Sequence, residues 1–125
     1  MRVLLDTSVL LLALSAPERL STASRNAIED PASIILVSAA SVWEIAVKRA
    51  LGKLEASESV VGAIQDAGFE TLDITPDHAE RAGGLPPHHR DPFDRMLVAQ
   101  ALAEGCTLLT RDDALQDHDV EILRA

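Results

Sequence analysis

The sequence predicts an α/β domain with a mainly parallel central sheet, a three-layer α/β/α arrangement, and three observations carry that expectation. Short apolar runs of strand length recur at Arg2 to Leu5, Ile34 to Val37, Phe69 to Ile74, Thr107 to Thr110 and Val120 to Leu123. Helix-length stretches with their own start and stop signals separate these runs. Most of the runs are apolar at successive positions, as expected of strands covered on both faces by helices.

The elements follow in order. After Arg2 to Leu5, a helix is expected from about Ser8, and a polar-faced helix over Arg19 to Asp30 stops before Pro31. β-branched Ile34 to Val37 forms the second strand, and Ser41 to Leu51 a helix closed by Gly52. Ser57 to Ala67 reads as a helix ended by Gly68, and Phe69 to Ile74 as a weakly alternating strand. Thr75-Pro76 opens a short helix that Gly83-Gly84 closes, and Leu85 to Arg90 is a loop rich in Pro and His. Pro92 to Glu104 is the strongest helix, apolar from 96 to 103 except at Gln100, with Gly105 as its stop. Thr107 to Thr110, a helical turn over Asp112 to Gln116, and Val120 to Leu123 complete the chain. No repeat or linker interrupts it, so residues 1–125 are expected to form one domain.

Composition narrows the function. The 125 residues carry a formal net charge of −9, which argues against a simple electrostatic DNA binder, since backbone affinity comes from clustered Lys and Arg. The three aromatics, Trp43, Phe69 and Phe93, are scattered, so no base-stacking platform of the RRM or OB type is expected. The lone Cys106 rules out an internal disulfide or a multi-cysteine zinc site and is expected in the core. The N-terminal apolar run is interrupted by Asp6, has no basic n-region and is too short to span a bilayer; no membrane association and a cytoplasmic location are expected.

Four acids stand where a parallel sheet places its ligands, beyond the strands' carboxyl ends. Asp6 follows Val3-Leu4-Leu5, Asp112 lies two residues past Thr110, Glu44 sits near the start of the helix after the second strand, and Asp94 is in the first turn of the long apolar helix. Such oxygen ligands suit hard divalent cations, which can activate water against a phosphodiester. Each acid also has a plainer explanation. Asp6, Asp91 and Asp112 or Asp113 fit N-caps, Ser41-Val42-Trp43-Glu44 fits a capping box, Glu44 and Lys48 form an i,i+4 pair, and Asp94 complements a helix dipole.

Taken together, Val3-Leu4-Leu5-Asp6-Thr7-Ser8, Ser41-Val42-Trp43-Glu44-Ile45-Ala46, His89-Arg90-Asp91-Pro92-Phe93-Asp94-Arg95 and Leu108-Leu109-Thr110-Arg111-Asp112 resemble the four acidic motifs of PIN-domain proteins. More narrowly, they resemble the VapC toxins of type II toxin–antitoxin systems, over nearly the whole chain. The resemblance implies a Mg²⁺- or Mn²⁺-dependent endoribonuclease, usually dimeric and held inactive by a VapB-type antitoxin. It carries the metal-coordinating role onto Asp6, Glu44, Asp94 and Asp112, with Asp91 as a further candidate and Thr7, Ser8 and Thr110 in support.

Basic residues close to these motifs are expected to steer the RNA backbone, namely Lys48, Arg90, Arg95 and Arg111, with Arg49 and Lys53 nearby. His88-His89 would be a loop beside the RNA, and His78 and His118 carry no signal. Apolar segments Leu10 to Leu20 and Ala50 to Val61 are candidate interfaces for the antitoxin or a second copy. The rival reading is a non-catalytic binding or receiver-like module whose acids are helix caps. A receiver would need a lysine after a late strand, but the last lysine is Lys53.

Overall fold

The protein's structure, a computed structural model, describes residues 1–53, 59–87, 91–112, 115 and 120–125. The strands are β1 (Arg2–Leu5), β2 (Ile34–Ser38), β3 (Glu70–Leu72), β4 (Thr107–Thr110) and β5 (Ile122–Arg124). The helices are α1 (Thr7–Ser15), α2 (Thr22–Glu29), α3 (Ala39–Ala50), α4 (Val60–Asp66), α5 (Pro76–Gly84) and α6 (Pro92–Glu104), with a 3₁₀ turn at Pro17–Arg19.

All five strands run parallel in the order β3-β2-β1-β4-β5. Side chains alternate across β1, so Val3 and Leu5 pack with Val9, Leu10, Ile45 and Ile64 on one face. Leu4 packs with Leu97, Val98 and Ala101 of α6 on the other. Helices therefore cover both faces, giving the expected three-layer α/β/α fold. Val3, Leu4, Leu5, Leu108 and Leu109 are completely buried, which explains their unbroken apolar runs. Among the described residues, no helix is long and apolar enough to cross a membrane.

β1 and β4 have the predicted limits, as does α6, which runs from Pro92 at its first position to Gly105 in the left-handed conformation (φ +65°). Several boundaries differ from expectation. The segment from Arg19 splits into the 3₁₀ turn and α2, because Ser21 caps the Ser24 N–H and starts the helix there. α3 begins at Ala39 rather than Ser41, since Ser38, the last residue of β2, accepts from the Ala40 N–H. The capping box expected of Ser41 and Glu44 is thereby overturned: both lie inside the helix. β3 is shorter than Phe69 to Ile74, and the last strand sits at Ile122–Arg124, in register with Leu108 to Thr110. α5 starts at Pro76 and stops at Gly84, as expected. The expected starts at Ser57 and the turn over Asp112 to Gln116 fall largely outside the described residues, as do His88, His89, Arg90, Asp113 and His118.

Candidate active site

The chain leaves β1 toward β2 and, later, leaves β4 toward β5 on the opposite side. The carboxyl ends of β1 and β4 thus flank the point where the sheet's connections diverge, which is where open parallel sheets form a crevice. Asp6 stands there. Its backbone N–H donates to Leu109 O, so the ladder itself fixes the residue. Its Oδ1 accepts from the Val9 N–H at 2.8 Å and the Ser8 hydroxyl at 3.1 Å, capping α1, and its Oδ2 accepts from the Thr110 hydroxyl. The Thr110 hydroxyl in turn accepts from the Asp112 N–H at 3.0 Å. One buried hydroxyl therefore couples the acids that end β1 and follow β4.

Burial pushes the Asp6 carboxyl above its ordinary pKa; the hydrogen bonds from Thr110, Val9 and Ser8 oppose the shift, and the Asp112 charge adds to it. Glu44, 7% exposed, is held from both sides. Its Oε1 accepts from the Thr7 hydroxyl at 2.6 Å, Thr7 shares a 3.0 Å hydrogen bond with Ser41, and Lys48 Nζ donates to Oε2 at 2.7 Å. The expected i,i+4 pair thus exists, with its carboxylate buried rather than on the surface. Glu44 raises the Lys48 pKa, and Asp91 and Asp94 act in the same direction. Asp91 caps α6 by accepting from the Phe93 and Asp94 N–H groups at 2.8 and 3.2 Å.

Asp6, Glu44, Asp91, Asp94 and Asp112 line one cleft of about 260 Å³, together with Thr7, Ser8, Leu11 and Lys48. All the predicted acids converge there, and capping at Asp6 and Asp91 coexists with that placement. The described lining offers carboxylate and hydroxyl oxygens and one ammonium, without imidazole or thiol, a donor set of the kind hard divalent cations take. Among the described residues, no three acids, histidines or cysteines already close into a ligand cage.

The cations expected beside RNA are placed differently from one another. Lys48 lies in the cleft, paired with Glu44. Arg111 donates to Arg19 O at 3.2 Å. Arg95 turns to its own chain, donating to Ala82 O at 2.8 and 3.1 Å, Leu85 O at 2.7 Å and Pro86 O at 3.0 Å. These carbonyls end α5 and begin the following loop, so Arg95 satisfies orphaned acceptors there. Sequence reasoning missed this clasp, and it missed His78. That buried imidazole completes a capping box with Thr75 and meets Glu104 at 2.8 Å, but a box is normally signalled by Glu or Gln at its position. Cys106 is buried and free, as expected.

The sequence profile of the PIN domain matches residues 3–121. The chain belongs to the PIN domain family. It is 34% identical to ribonuclease VapC22 of Mycobacterium tuberculosis over 119 residues, spanning 93% of this PIN chain and 91% of that protein. Similar folds occur in Rickettsia felis VapBC2 bound to a promoter DNA fragment (TM-score 0.75, 16% identity, 99% and 98% of the two chains). VapBC-5 of M. tuberculosis is also similar, with a TM-score of 0.67, 21% identity and 99% and 98% coverage. Away from the acids, this PIN chain has a hollow of about 460 Å³ between the end of α1 and α4, lined by Ala13, Leu14, Gly62, Ala63 and Ala67 with Ser59 and Asp66. It adjoins the segments expected to form interfaces.

Proposed function

We propose that this protein is a metal-dependent endoribonuclease, the toxin of a type II toxin–antitoxin pair, hydrolysing RNA phosphodiester bonds until a VapB-type antitoxin binds it. The carrying observation is the convergence of Asp6, Glu44, Asp94 and Asp112, with Asp91, on one cleft at the crevice of a PIN fold. The identity to a ribonuclease VapC supports the activity, and the likeness to VapBC proteins supports an antitoxin partner. The hollow between α1 and α4 is the surface assigned to the antitoxin or to a second copy in a homodimer. One domain over residues 1–125 and a cytoplasmic location complete the reading.

Asp6 and Asp94 would hold the principal Mg²⁺ or Mn²⁺, with Glu44 and Asp112 beside it and Asp91 in reserve. When bound, the cation supplies positive charge that eases ionisation of water and offsets the charge of the phosphate. The chain's own residues arrange the rest. Thr110, Val9 and Ser8 fix the Asp6 carboxylate in rotation, and Thr7 and Lys48 fix Glu44. Hydrolysis adds water across the P–O bond, leaving a phosphate on one product and a hydroxyl, which takes the proton, on the other.

The test is cleavage of RNA with Mn²⁺ present, comparing the parent chain with Asp6→Asn and Asp94→Asn. Loss of cleavage by at least about 100-fold in each variant is expected, the scale typical of removing a group that organises a metal site. Cleavage retained in both variants would return the acids to the role of helix caps.

A further inference from the structure

We propose that Trp43, braced by Phe93, is a platform on which one base of the bound RNA strand stacks beside the cleft. This rests on the ribonuclease reading above and adds to it how the site grips its substrate. Trp43 and Phe93 are distant in sequence, yet their ring centroids lie 5.1 Å apart at an interplanar angle of 68°, an edge-to-face pair. The contact joins α3 to the first turn of α6. Each ring directly precedes a cleft acid, Trp43 before Glu44 and Phe93 before Asp94, so the aromatic pair and the acid pair share one helix seam.

Trp43 nevertheless remains 63% exposed. A large indole held in one orientation but left in water forfeits most of its hydrophobic stabilisation. The aliphatic core, completed by Ile45 and Val42 on the same helix, has no need of it. What such a ring offers is a rigid π-face, and single-stranded RNA is held by stacking its bases on faces of that sort. Charge points the same way. The chain carries a net charge of −9, Lys48 is paired with Glu44, and Arg95 is directed to carbonyl groups, so these cations contribute little toward holding a polyanion. Stacking is attractive without regard to charge and is available to any base. It supplies the grip that electrostatics withholds.

Trp43 is the only tryptophan, so its emission reports this ring alone. With cleavage abolished by Asp6→Asn, a single-stranded oligoribonucleotide is expected to quench it, and an abasic phosphate strand of equal length is not. In steady-state cleavage, Trp43→Leu is expected to raise KM about ten-fold with kcat changed less than about three-fold, and Trp43→Phe to recover most of the loss. Equal quenching by both strands, or an unchanged KM in Trp43→Leu, overturns the proposal while parental cleavage keeps the ribonuclease reading. An altered oligomeric state in Trp43→Leu with KM unchanged assigns the ring to a protein contact instead, which also overturns it. A parent chain that cleaves no RNA overturns both. Should Trp43→Leu fail to fold, the Phe variant and the fluorescence comparison decide.

Discussion

Asp6 caps a helix with one oxygen and meets Thr110 with the other, in surroundings that penalise its charge. A carboxyl whose native pKa lies above its unfolded value binds its proton more tightly when folded. Stability therefore falls as pH rises from the ordinary 3.8 through the raised native value, and at neutral pH the ionised group is destabilising. Asp6→Asn keeps an equivalent cap and removes that charge. In chelator at pH 7 the variant is expected to melt above the parent, with the gap narrowing toward pH 4 as the parent's carboxyl protonates. Added Mn²⁺ should reverse the order, because a cation bound only by the folded parent stabilises it by about 2.7 kcal/mol at 100 times Kd. Thermal melts in the three conditions check this; a variant that melts below the parent in chelator would contradict it. Residues that cost stability when a site is empty and repay it when the site is filled are typical of functional clefts.

At the scale of elements, the clasp between α5 and α6 helps to place the first turn of α6, which carries Asp94 into the cleft. Arg95 lies one residue beyond Asp94 and ties the first turn of α6 to the carbonyls ending α5. Removing it strands several of those acceptors, so Arg95→Ala is expected to lower stability by about 2–3 kcal/mol in urea unfolding. Arg95→Lys should recover only part of this, since an ammonium cannot span the same fan of carbonyls. A variant with an unchanged urea midpoint and weakened RNA binding would instead restore the phosphate-contact role. Arg95 also marks the limit of what the sequence makes legible. α6 could be bounded to the residue because Asp91, Pro92 and Gly105 are unambiguous local signals. The acids could be placed because strand ends in a parallel sheet point to one rim. The clasp, the His78 box and the Trp43–Phe93 pair depend on which helices become neighbours, and no local pattern encodes that. The start of α3 was misplaced for a related reason: Ser38 and Ser41 are both competent caps, and the choice between them follows from where β2 stops pairing with β3 at Ser38 and Leu72.

For the whole molecule, the decisive contrast is between an acidic chain and the polyanionic substrate proposed for it. The net charge of −9 repels RNA at long range, and Lys48, Arg95 and Arg111 all have partners within the fold. Binding that neutralised many phosphates would release many counterions and weaken steeply with salt, with a slope near −0.7 per phosphate for a single strand. On the proposed reading, attraction is instead concentrated in a single cleft, at a divalent cation and at an uncharged aromatic face. An uncleavable oligoribonucleotide is therefore expected to bind with a shallow slope, between about −1 and −2 in log K against log monovalent salt at fixed Mn²⁺. Removal of Mn²⁺ should weaken binding far more than a doubling of salt does. Fluorescence anisotropy across a salt titration measures both. A slope steeper than about −4 would reveal an extended basic track, and the cleft would then be one contact among many rather than the place where the molecule meets its substrate.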